Sequence, residues 1–232
     1  TTGCMNTAIG RSALGANITG LCNTAVGRTA MELNTTGCFN VAVGKDSLAN
    51  NIAANNNTAV GFQSLVLNTT GTSNAAVGAN SLDSNTTGSN NVAVGAAAGS
   101  AITTGSSNTA VGQNSLQATT TTSNNTALGL NSLYTNTGSN NTGLGAKTLV
   151  ANTTASNNTA VGYSAMCKTT TGHSNVAVGK EALWTNTEGF DNTAVGIEAL
   201  VSNTTGDCNT AIGSDALATN STASNNTAVG SS

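Results

Sequence analysis

The chain has 232 residues, of which 6% are charged and 3% aromatic, with 27 glycines, no proline and a formal net charge of −3. A mildly acidic balance without a basic stripe gives no support for nucleic-acid binding, and no apolar run is long enough to span a membrane. Low charge among many polar residues is also a mark of disorder, but strictly placed apolar residues argue against it.

That placement is periodic. Fourteen glycines run from Gly10, Gly27 and Gly44 to Gly213 and Gly230 at intervals of seventeen residues, the one exception being the sixteen between Gly129 and Gly145. A period this short and strict predicts a solenoid, in which each coil buries its apolar side only against its neighbours. In chain order, the candidate strands are the three residues before each glycine. They run from Thr7-Ala8-Ile9 and Thr24-Ala25-Val26 through Thr58-Ala59-Val60 to Thr227-Ala228-Val229. Asn stands four residues before every glycine. Ala stands two before, except for Gly143, and Val, Ile or Leu stands one before. Four after it comes Leu, replaced by Met31, Gly99 and Met166, and the residue preceding that position is small.

A seventeen-residue coil with two or more turn signals has no room for a useful helix, so the coil is β. Thr-Ala-Val forms one strand and Ser-Leu begins a second, while Asn-Thr-Thr-Gly-Ser-Asn is turn chemistry. The expected fold is all-β, a single domain over residues 1–232: a parallel β-solenoid with about 14 rungs, roughly 65 Å long at the usual strand spacing. Asn57, Ala59, Val60, Gly61 and Leu65 stand for the positions that form ladders, and a buried Asn ladder can satisfy its amides rung to rung. The sixteen-residue coil loses one Thr from its turn, and Gly99 marks the weakest coil.

Chemistry is sparse. An enzyme needs unlike groups converging at one place, whereas this chain repeats like groups, so no catalytic, cofactor or metal residue is assigned. Five cysteines lie at turn positions. Cys22 is a candidate disulfide partner of Cys4 or Cys38 on an adjacent coil, with free thiols the standing alternative. Asn34, Asn68, Asn85, Asn152 and Asn203 open Asn-Thr-Thr sequons, which either carry glycans along one edge or reflect only what the turn requires. Thr also forms ranks. Thr69, Thr86, Thr103 and Thr120 share one position and Thr70, Thr87, Thr104 and Thr121 the next. Such an array resembles the ice-binding face of antifreeze solenoids, although it is Thr-Thr in a turn rather than Thr-x-Thr on a strand.

At Asn57-Thr58-Ala59-Val60-Gly61, Asn91-Val92-Ala93-Val94-Gly95 and Asn175-Val176-Ala177-Val178-Gly179 the chain resembles the head repeat of YadA-like trimeric autotransporter adhesins. It is equally similar to the Asn-Thr-Ala-Ile-Gly arrays of bacterial surface and phage-type fibres. The resemblance implies a left-handed β-roll, a homotrimer and a surface-displayed adhesive rod, extracellular or on a virion. Its expected partners are copies of itself and a host surface or matrix, with end-to-end filaments as the second arrangement. Strands acceptably apolar on both faces, over a thin core, independently favour an oligomer.

Overall fold

A computed structural model describes residues 2–231. The chain divides into two compact units, Thr1–Asn114 and Ser115–Ser232. The first holds β1 (Thr7–Ile9), β2 (Thr24–Val26), β3 (Val41–Val43), β4 (Thr58–Val60), β5 (Ala75–Val77), β6 (Val92–Val94) and β7 (Thr109–Val111). The second holds β8 (Thr126–Leu128), β9 (Thr142–Leu144), β10 (Thr159–Val161), β11 (Val176–Val178), β12 (Thr193–Val195), β13 (Thr210–Ile212) and β14 (Thr227–Val229). Within each unit every strand pairs in parallel with the next in sequence, as in Thr58↔Ala75 and Thr193↔Thr210. Each unit is therefore an all-β parallel solenoid, and no helix occurs among the described residues.

Each coil has one strand rather than two. The expected Ser-Leu strand is replaced by a turn, because the residues two and four after the glycine take left-handed backbone angles, as do Gln63 (φ 52) and Leu65 (φ 52). A left-handed Leu costs about 1–2 kcal/mol. In return Leu65 turns inward to complete burial, worth about 1.5–3 kcal/mol. Its N–H also donates to Ser81 O of the next coil at 2.9 Å. Burial and rung bonding together outweigh the strain. Rung bonds continue round the rest of the coil, with Leu67 N donating to Asp83 O at 3.2 Å and Thr69 N to Thr86 O at 2.9 Å.

The interior is narrow: the central strand Ala, the small residue, the Leu and two columns of Asn. Asn57 Nδ2 donates to Gly71 O at 2.9 Å, and Asn68 Nδ2, from the turn, donates to the same carbonyl at 2.9 Å. Asn57 Oδ1 accepts the Asn74 N–H at 2.9 Å, and Asn68 Nδ2 also reaches Asn51 Oδ1 at 3.1 Å. Amides that would be expensive to bury alone are thus paired with the coils around them and with one shared carbonyl.

Two irregular coils carry their own compensation. Gly99 leaves the Leu slot open, but Ile102 replaces the turn Asn of that coil and is fully buried. A Cβ on Gly99 would stand 3.1 Å from both Ile102 Cδ1 and Leu82 Cδ2, so Ile102 occupies the space. Gly99 is therefore half of an exchange, and the weakness expected of that coil is offset.

At β9, Gly143 replaces Ala where Thr148 replaces the usual Ser or Ala. A Cβ on Gly143 would lie 2.6 Å from Ser132 Oγ and 2.7 Å from Thr148 Oγ1. Gly143→Ala is expected to destabilise by about 1–3 kcal/mol through overpacking, and Thr148→Ala in the same chain, which removes one of the two crowding oxygens, should recover part of that loss. Urea unfolding of the two single variants and the double would show this as a non-additive cycle; additive values would dissolve the pairing. The missing Thr of the sixteen-residue coil is absorbed in the turn, where Gly138 O still accepts from Asn125 Nδ2 at 3.0 Å and Asn136 Nδ2 at 2.8 Å. The strand register survives as Thr126↔Thr142.

Candidate interaction surfaces

Alternation along each strand turns Ala59 inward, fully buried, and sets Thr58 and Val60 on the outer side. Repeated through β1–β7 and again through β8–β14, this gives each unit two outward columns. The column next to the glycine is Val, Ile or Leu throughout. The other is Thr or Val, with Ala75 once. Neither column contains a charge. Val94 is 39% exposed and Leu128 48%, and beyond the glycine Phe62, Leu130, Tyr163 and Ile197 add further exposed apolar side chains. Contiguous exposed apolar surface of this kind is a mark of an interaction site.

The Thr ranks have divided roles. Hydroxyls in the first rank donate to backbone carbonyls of the next coil, as with Thr69 Oγ1 to Thr86 O at 3.0 Å and Thr86 Oγ1 to Thr103 O at 3.1 Å. Thr103 sits half-buried at this position and Thr120 is exposed there. Thr70, Thr87, Thr104 and Thr121, in the second rank, are exposed. The Asn of the Asn-Thr-Thr sequons points the other way. Asn34, Asn68, Asn85, Asn152 and Asn203 are completely buried. Asn34 Nδ2, for instance, donates to Asn17 Oδ1 at 3.0 Å and to Gly37 O at 3.1 Å. In the folded coil these amides are structural, so the turn requirement accounts for their recurrence.

All five cysteines are free thiols. Cys22 N donates to Cys4 O at 3.2 Å, so these two residues meet through backbone, and Cys38 Sγ accepts the Leu21 N–H at 3.3 Å. Burial raises the Cys167 thiol above its usual range. Two carboxylates are also shifted. The Thr29 hydroxyl, with lesser help from Lys45 and Arg28, holds Asp46 low despite the opposing effect of burial, whereas burial pushes Asp83 up. Lys168 Nζ lies 3.9 Å from the centre of the Trp184 ring, and His173 stacks on Phe190 at 5.2 Å. Among the described residues, no three His, Cys, Asp or Glu converge as a metal-binding group, and no helix is long and apolar enough to cross a membrane.

Sequence reasoning had reached the doubly apolar strand and the Asn ladder. It missed the left-handed Leu and the shared carbonyl, because each depends on which residues become neighbours across coils. Comparison with protein-family models and with curated proteins finds no match.

Proposed function

We propose that this chain forms an extracellular structural and adhesive fibre, displayed on a cell surface or a virion, whose copies associate as a homotrimer. The observation that carries the reading is the uncharged outer strand face, with Val, Ile or Leu in one column at every coil. A stack with so thin an interior gains by covering that face with like faces at the same rung spacing. The Asn-Thr-Ala-Val-Gly array, similar to adhesin-head and phage-type fibre repeats, supports the same reading. Repetition supplies reach, and contact with a host surface or matrix comes from many weak, identical interactions acting together.

A second reading, ice binding, draws on the exposed column of Thr70, Thr87 and Thr104. Two measurements separate the readings. Light scattering on the soluble chain is expected to give three chains per particle, and a stable monomer would reject the trimer. Thermal hysteresis is expected to be absent. Clear activity, abolished by Thr87→Tyr with Thr104→Tyr, would replace the fibre reading with the ice-binding one.

A further inference from the structure

The few charges are unevenly placed. Cations in the first unit are Arg11, Arg28 and Lys45, and each directly follows a repeat glycine in three consecutive coils. Backbone bonds hold those coils in register: Thr29 N to Arg11 O at 2.9 Å, Asp46 N to Arg28 O at 3.0 Å and Gln63 N to Lys45 O at 3.0 Å. The three exposed side chains therefore stand in a column at the rung spacing of about 4.8 Å. Asp46 is the one anion set among them, 3.4 Å from Lys45 Nζ and bonded by the Thr29 hydroxyl. Three positive charges against one negative leave the column at +2.

In the second unit the mirror arrangement occurs one position further along. Glu181, Glu198 and Asp215 occupy the second residue after the glycine in three consecutive coils. They are held in register by Glu198 N to Lys180 O and Asp215 N to Ile197 O, each at 2.9 Å. Lys180 stands among them, 3.6 Å from Glu181 and 3.8 Å from Glu198, and the Ser214 hydroxyl donates to Asp215 at 3.0 Å. Three negative charges against one positive leave −2, equal and opposite to the first column.

Within one chain, each column sets like charges side by side on a solvent-facing corner, which is mildly unfavourable by itself. Both columns share one spacing because both are built on the same coil. We infer that the Arg11, Arg28 and Lys45 column of one copy pairs with the Glu181, Glu198 and Asp215 column of a second copy, fixing the register of lateral contact between chains. The inference rests on the reading of this chain as a self-associating fibre. Every copy carries one column of each sign, so every copy offers both halves of the contact to its neighbours. Exposed charge pairs supply register and salt sensitivity more than affinity.

The test is sedimentation velocity of the intact chain at 20 mM and 500 mM NaCl. The wild type is expected to form species larger than its basal particle at low salt, with association weakened at least about tenfold at high salt as screening shortens to a few ångströms. Two charge-reversed chains should each remain at the basal particle at low salt. One carries Arg11→Glu, Arg28→Glu and Lys45→Glu; the other carries Glu181→Lys, Glu198→Lys and Asp215→Lys. Mixing them in equal amounts should restore the large species, since one offers only anionic columns and the other only cationic ones.

Circular dichroism matching the wild type would confirm folding of both variants, and the wild-type salt series stands even if one fails to fold. Salt-independent association, persistence in either variant alone, or no rescue on mixing would overturn the inference. So would capture of soluble heparin by the wild type without self-association at low salt. The basal mass at 500 mM reports separately on the fibre reading, so the two can fail independently.

Discussion

Replacing Ala110 with Asp is expected to destabilise the chain by about 3–5 kcal/mol, the cost of a buried charge with no partner. Ala110 is the central residue of β7, fully buried and in register with Ala93 of β6. Its column is Ala in every coil but that of Gly143, so the interior there is lined by methyl groups and backbone. A carboxylate placed in it must either stay ionised in a dry site or take up a proton at a raised pKa, and both paths lower stability at neutral pH. Urea unfolding followed by circular dichroism would measure the loss. Gln113→Asp, three residues away on the exposed side, should change stability by less than about 0.5 kcal/mol. Similar values for the two would contradict the assignment of inside and outside.

The second large effect is expected for Gly61→Ala, at more than about 3 kcal/mol once backbone strain and displacement of a neighbouring coil are combined. Gly61 has φ 134, where residues with a Cβ are rarely found. An added Cβ would lie 2.5 Å from Gly78 O and 2.7 Å from Gly78 C. Those atoms are backbone of the next coil and cannot swing aside as a side-chain tip could. The same replacement at Gly71 is the control. An added Cβ at Gly71 would also crowd the next coil, 2.2 Å from Gly88 O, but Gly71 lacks the left-handed φ of Gly61. The chain also carries Ala54, Ala155 and Ala223 at that turn position, so the loss there should be smaller by the backbone strain. Equal losses at Gly61 and Gly71 would remove the explanation given for the repeat glycine.

Much of this architecture is legible in the sequence alone, because the seventeen-residue period expresses stacking directly. Asn57, Ala59 and Gly61 recur because each meets its own counterpart in the next coil. Leu65 was harder to read. Leu avoids left-handed backbone in most settings, so Ser-Leu looked like strand; its conformation follows from bonds to the next coil, which propensity does not contain. Gly99 looked like a defect because the exchange with Ile102 lies three residues further on, in a position that otherwise holds Asn or Thr. Sequon Asn and surface Thr stand only two residues apart yet face opposite ways, as Asn68 and Thr70 illustrate. The charge columns were half legible, since Arg11, Arg28 and Lys45 recur at the seventeen-residue period, while their standing as neighbours on adjacent coils follows from the rung bonds.

If copies associate through the uncharged strand face, altering that face while sparing the interior must separate them. Val77 and Val94 stand on the outer side of β5 and β6, 39% exposed in each case. Val77→Lys with Val94→Lys would place two charges there without touching the buried Ala column. Light scattering is expected to give three times the 22.6 kDa chain mass for the wild type and a single chain for the double variant, with matching β-type circular dichroism. A double variant that keeps the wild-type mass, or a wild type that is itself monomeric, would contradict the account.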